Sequence, residues 1–229
     1  MFRLRWLLLC VLFVSLPMAV VVSQPAPPPD LMDVLRLGGY VIVLRHGATS
    51  QDVARDGMSN PDKKTTGERQ LSDAGRTQAI AIGEGLRKLG IRVGVVMTSP
   101  LQRAVDTATL LGVGEVKINP ELAEAGSDLS PAERDRRADI LRKLVGYHSG
   151  DTNFVIVTHK PNLVDAFGAS LADMREGEAA VFEPDFTGAG YQLVARFQVS
   201  DWDLLVQASR AEELDRAPHC LRPVSPHYD

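Results

Sequence analysis

Two histidines in this chain stand beside cations, each directly after a short apolar run. Arg45-His46-Gly47 follows Tyr40–Leu44, and Thr158-His159-Lys160-Pro161-Asn162 follows Phe154–Val157. A third run, Val93–Met97, leads into Thr98-Ser99-Pro100 and then Leu101-Gln102-Arg103-Ala104. A neutral imidazole is a competent nucleophile near pH 7, and its phosphoramidate is labile enough for water to remove. A guanidinium offers a planar fork of donors to phosphate oxygens, giving orientation as well as charge. Brought together, these groups suit phosphoryl transfer, which is governed by positioning and by electrostatic stabilisation of the equatorial oxygens. His46 is then the nucleophile, Arg45 and Arg103 hold the phosphate, and His159 donates to the transferring group. Gly47, lacking a Cβ, lets the backbone approach the ligand closely. Arg103 falls in the first turn of a helix, where the dipole disfavours a cation, so its position asks for an anionic partner. A zinc site on both histidines is disfavoured: no third ligand has suitable spacing, and Arg45 and Lys160 would repel a cation. No metal or organic cofactor is expected.

The elements that must gather these residues show in the apolar pattern. The three runs are short, β-branched and continuously apolar, as in strands of a parallel sheet buried on both faces. Ser72 can cap a helix running to about Leu89, with Ala79, Ile82, Gly83 and Leu86 on one face and Gly90 to stop it. Further helices are predicted over Leu101–Leu111, Pro131–Val145 and Pro161–Leu171, the last with Val164, Phe167 and Leu171 aligned. Ala179–Phe182 and Tyr191–Val199 read as two later strands, a hairpin across Gly188 and Gly190. This alternation predicts an α/β fold, a three-layer sandwich whose mostly parallel central sheet carries helices on both faces. In such sheets ligand sites form beyond the carboxyl ends of strands, so both histidines and both arginines converge on one pocket.

Four segments together resemble a known family. Arg45-His46-Gly47, the helix start Leu71-Ser72-Asp73-Ala74-Gly75-Arg76, Ser99-Pro100-Leu101-Gln102-Arg103-Ala104 and Thr158-His159 occur in the order found in the histidine phosphatase superfamily. That superfamily includes cofactor-dependent phosphoglycerate mutases and many phosphatases. The resemblance implies a phosphoglycerate mutase-like fold and a phosphohistidine intermediate on His46, and leaves the substrate open. It also implies an acidic residue that protonates the leaving group. The phytase-like branch places that residue immediately after the second histidine, where this chain has Lys160. The other branch places a glutamate in a Leu-x-Glu setting after the third strand, which Glu124 in Leu122-Ala123-Glu124-Ala125-Gly126 fits; Glu121, Asp128 and Glu178 are fallback candidates. In one departure, Asp52 stands six residues after the nucleophile, where the family often has asparagine; the side chain then points away, or the loop is rearranged. Thr49 to Gln70 is polar and without periodicity, either solvated loop or a lid in which Lys63, Lys64 and Arg69 help to hold an anion.

The 229 residues, 45% hydrophobic and 24% charged, suffice for one domain with its own core. A net charge of −4 gives no general reason to bind nucleic acid, so the expected partner is a small phosphorylated substrate or a phosphoprotein. Arg3 and Arg5 precede an apolar run from Trp6 to Val22, with small residues at Val21 and Ser23. Residues 1–23 therefore read as a secretory signal cleaved after Ser23, placing the protein in the periplasm or outside the cell. The alternative is membrane anchoring by residues 6–23 left uncleaved. Residues 24–30 are a Pro-rich linker, 31–216 the catalytic domain, and 217–229 a loose tail. Cys10 would leave with the signal and Cys220 would stand alone, so the mature protein is expected to lack an intrachain disulfide. Two rivals to an exported phosphatase stay open, a mutase-type phosphotransferase and a non-catalytic phosphate-binding module.

Overall fold

The computed structural model describes residues 31–50, 68–125, 129–148, 150–185 and 190–216. Its elements run α1 (Leu31–Leu37), β1 (Val41–Arg45), α2 (Asp73–Lys88), β2 (Val93–Thr98), α3 (Gln102–Leu111), β3 (Glu115–Ile118), a 3₁₀ turn (Pro120–Leu122) and α4 (Pro131–Gly146). They continue with β4 (Asn153–Thr158), α5 (Lys160–Phe167), a second 3₁₀ turn (Gly168–Leu171), β5 (Ala179–Asp185), β6 (Gly190–Phe197) and α6 (Val199–Arg216).

One six-stranded sheet has the order β3-β2-β4-β1-β5-β6. The four strands from β3 to β1 are parallel, while β5 runs antiparallel to β1 and β6 antiparallel to β5. Alternation of side chains along β1 divides the core into two layers. Ile42 and Leu44 join Leu35 of α1, Ile82 and Leu86 of α2, Leu111 of α3 and Trp202 of α6. Val41 and Val43 face the other way, onto Leu141 and Val145 of α4 and Leu163 of α5. Truncating a fully buried side chain such as Ile82 or Leu111 to alanine costs roughly 2–5 kcal/mol. This is the three-layer α/β sandwich that the apolar pattern predicts.

The helix over 73–88 starts where expected, with Ser72 Oγ accepting from Gly75 N at 3.1 Å. Elsewhere the elements depart from expectation. The run Pro161–Leu171 is not one helix: α5 ends at Phe167, Gly168 takes φ +68°, and the chain tightens into the 3₁₀ turn. Three elements had no signal in the pattern. β3 is exposed along all four residues and so lacks the apolar run that marked its neighbours. α6 begins inside the expected last strand, at Val199, and α1 is two turns long. The signal or anchor, the linker, the tail with Cys220, and Asp52, Lys63, Lys64 and Asp128 lie outside the described residues. Among the described residues no helix is long and apolar enough to cross a membrane.

Candidate active site

Register brings the chemistry together. β1 and β4 are parallel neighbours with Arg45 opposite Thr158, so the next residues, His46 and His159, leave the sheet side by side. His46 N donates to Thr158 O at 3.1 Å, and Ser99 N at the end of β2 donates to Val157 O at 3.0 Å. The two imidazole centroids lie 5.2 Å apart.

The backbone sets the state of His46. Its Nδ1 is 2.8 Å from the Gly47 carbonyl oxygen. A carbonyl only accepts, so Nδ1 carries the hydrogen and Nε2 keeps its lone pair. Arg103 Nε donates to that Nε2 at 3.3 Å. With 2% of its surface exposed, His46 is pushed down to about 4, chiefly by burial; the Gly47 carbonyl opposes the shift and the Arg103 charge adds to it. The imidazole is therefore neutral at pH 7. His159 is fully buried, with Nε2 2.7 Å from Ser99 Oγ. Burial, then the charge of Arg103, takes it down to about 2.

Each arginine enters from a different side. Arg45 donates through Nη1 to Met174 O at 2.8 Å and through Nη2 to Glu176 Oε1 at 3.3 Å. Arg103, 4% exposed on α3, donates through Nη2 to Glu124 Oε2. This carboxylate is the anion that a cation in the first helical turn requires. Among the described residues, Arg45 Nε and His159 Nδ1 are buried with no partner. Buried polar atoms are normally satisfied, so these two unpartnered nitrogens are candidate contacts for a ligand in the pocket.

The loop carrying Glu124 is tied to the strand that delivers His159. Asn162 Nδ2 donates to Ala123 O at 2.9 Å and Asn162 Oδ1 accepts from Ala125 N at 3.0 Å. Thr158 Oγ1 donates to Leu122 O at 3.1 Å. The Glu124 side chain keeps 36% exposure, so its carboxylate borders both Arg103 and solvent. Of the fallback acids, Glu121 pairs with Arg136 at 2.6 Å and Glu178 is buried against Arg196 at 2.6 Å. Glu124, by contrast, pairs with Arg103, the guanidinium that also donates to His46. Arg69 is close enough for its charge to lower the Arg45 pKa, after the larger effects of burial and Glu176.

Gly47 also has a structural task. Its N–H donates to Thr107 Oγ1 at 3.1 Å. A Cβ there would sit 2.6 Å from Gly75 O, and one on Gly75 would sit 2.0 Å from Ala48 O. The glycine pair lets the start of α2 press against the nucleophile loop. Glu176 was missed altogether. It accepts from Arg45 and from Thr49 Oγ1 at 3.2 Å, and its only hint in the sequence was acidic residues just before a predicted strand. Among the described residues no group of three His, Cys, Asp or Glu side chains is placed to hold a metal ion.

The arrangement is a neutral nucleophilic nitrogen flanked by a second imidazole, two guanidinium groups and a carboxylate. The model of histidine phosphatase superfamily branch 1 matches residues 41–129. An uncharacterized protein of Picosynechococcus sp. is 30% identical over 155 residues, 60% of this chain and 85% of that protein. The chain belongs to the histidine phosphatase superfamily. An acid phosphatase of Mycobacterium tuberculosis is 36% identical over 85 residues, 37% of this chain and 38% of the relative. Among solved structures, the protein histidine phosphatase SixA complexed with tungstate aligns at TM-score 0.52 and 16% identity, over 71% of this chain and 98% of that one. Identity that low shows a shared fold.

Proposed function

We propose that this chain is an exported phosphatase that hydrolyses a phosphomonoester or phosphoramidate through a phosphohistidine on His46. One observation carries the reading: the Gly47 carbonyl holds the Nδ1 hydrogen, leaving the Nε2 lone pair of a neutral His46 beside Arg103 and two unpartnered buried nitrogens. His46 Nε2 attacks phosphorus as the bond to the leaving atom breaks. Arg45, Arg103 and His159 stabilise the equatorial oxygens, and the Glu124 carboxyl gives its proton to the leaving group. Water then attacks the phosphoramidate and passes its proton to the Glu124 carboxylate. Inorganic phosphate leaves, and His46 is neutral again. Membership of the superfamily and the partial likeness to an acid phosphatase support the reaction class. Export rests on Arg3, Arg5 and the apolar run Trp6–Val22, and cell fractionation tests it.

The deciding experiment follows p-nitrophenyl phosphate turnover by wild type and His46→Ala, with quenched samples assayed for covalent phosphate. The expected result is an acid-labile, base-stable phosphoprotein in wild type only, with turnover lost in the variant while vanadate still binds. Retained turnover in His46→Ala would remove the nucleophile. Vanadate binding by wild type with neither turnover nor phosphoprotein would make the chain a phosphate-binding module.

A further inference from the structure

The segment Met174–Glu178, between the second 3₁₀ turn and β5, wraps the carboxyl end of β1. Gly177 N is shared between the carbonyl oxygens of Arg45 and His46, at 3.1 and 3.0 Å, and Arg45 N donates to Glu178 O at 3.1 Å. The guanidinium of Arg45 is tied to the same segment, through Met174 O and Glu176 Oε1. Backbone and side chain of one phosphate-gripping residue thus lean on five consecutive residues.

A buried ion pair holds that segment in turn. Glu178 is 3% exposed and anchors both ends of its own turn, since its Oε2 accepts from Arg175 N at 2.8 Å. Its Oε1 accepts from Arg196 Nε on β6 at 2.7 Å. Arg196 reaches further back through Nη1, to Ser170 O at 3.0 Å and Asp173 Oδ1 at 2.8 Å. One guanidinium therefore closes the segment from its beginning to its end. A buried pair of this kind contributes little net stability against an apolar substitute, but removing one partner strands a charge. What it does supply is a fixed geometry.

We propose that Glu178 and Arg196 are positioning residues for phosphate binding, their ion pair fixing the Met174–Glu178 segment so that it aims the Arg45 guanidinium. The proposal rests on the reading above, in which Arg45 grips the phosphate. A long side chain held in one orientation before the ligand arrives spares ordering entropy on binding, and misplacement by an ångström is expensive.

The test is a double-mutant cycle on the full chain, with vanadate affinity and steady-state kinetics as readouts and circular dichroism to check folding. Glu178→Gln is expected to weaken vanadate binding and raise KM by roughly tenfold, with a smaller fall in kcat. In an Arg45→Ala background the same change is expected to move affinity by no more than about twofold, because the group it aims is gone. Equal losses in both backgrounds, or no loss in either, overturn the proposal. An Arg45→Ala variant that binds vanadate as wild type does overturns the underlying reading of Arg45 instead. Should Glu178→Gln fail to fold, Arg196→Lys carries the same cycle, since it keeps the charge and removes the fork. The outer partner serves as control: Asp173→Asn, with a side chain 79% exposed, is expected to change affinity by no more than about twofold.

Discussion

Arg45 and Arg103 bring the same guanidinium to one pocket, yet the chain holds them in opposite ways. Arg45 is braced by a backbone carbonyl and by a segment pinned through a carboxylate with 4% side-chain exposure. Arg103 rests on Glu124, a loop carboxylate with 36% exposure, and on His46 itself. In the proposed mechanism one side of the pocket stays in place and the other exchanges partners. In that mechanism an arriving phosphate takes the place of the Glu124 carboxylate on Arg103, so the residue assigned to donate a proton is the one whose ion pair the substrate disrupts.

Breaking the exchangeable side has the larger expected effect. Arg103→Ala removes the donor on the nucleophile and the partner of Glu124 together, and kcat/KM should fall on the order of 10²–10³ with kcat itself reduced. Arg45→Ala should cost less and chiefly in KM, because it leaves His46 and Glu124 in place. Steady-state kinetics on one aryl phosphate compares the two, and equal losses in kcat would erase the distinction.

Glu124→Gln sharpens the contrast through the leaving group. Alkyl phosphates, which need a proton, should slow on the order of 10²–10³, and p-nitrophenyl phosphate by less than about tenfold. A uniform loss would move the acid elsewhere. Asn162→Ala tests the clamp on the same loop. It should lower kcat for alkyl esters by roughly tenfold with a smaller change in vanadate affinity, since it frees Ala123 and Ala125 around Glu124 and leaves the contacts of Arg45 in place.

A separate effect, on stability, concerns pH and the inner wall of the pocket. Unfolded histidines take up protons near pH 6.5, whereas His46 and His159 in the fold do so only near 4 and 2. Their contribution to stability is complete above pH 6.5 and is lost as pH falls from there toward 4, because the unfolded state then binds protons that the folded state refuses. Each contributes a slope of roughly 1.4 kcal/mol per pH unit over that window. The Tm of wild type should drop between pH 7 and pH 5, and His159→Gln should flatten the drop. An unchanged slope in that variant would mean that His159 takes up its proton in the fold as readily as in the open chain.

The difference between fixed and exchangeable regions also explains what the sequence could disclose. Strands β1 and β4 were legible because β-branched runs in a buried parallel sheet need no partner to be recognised, and β2 was legible from its apolar run although it is only partly buried. Their polar exits, His46, Ser99 and His159, could be placed at one sheet end on topology alone. β3 was not legible, because Glu115-Val116-Lys117-Ile118 is exposed throughout and its identity as a strand comes only from pairing with β2. Gly47 shows the limit for single residues: absence of a Cβ could serve a ligand or a neighbouring helix, and the close approach of Gly75, which shows the second use, left no trace in the sequence. Glu178 and Glu176 are two residues apart and both acidic, yet one is locked to Arg196 and the other lies on Arg45 and Thr49. Composition carries no trace of that division, which depends on β6 folding back across β5.

In the proposed mechanism, the hydrogen bond from His46 Nδ1 to the carbonyl of Gly47 fixes the regiochemistry of the covalent intermediate. With that nitrogen committed to the backbone, phosphorus can bond only to the ring nitrogen remote from the main chain. The phosphoenzyme is then the tele isomer, its phosphorus flanked by both ring C–H groups, and proton–phosphorus couplings distinguish it from the pros form. On that reading, a main-chain carbonyl selects which of two isomeric phosphohistidines would form.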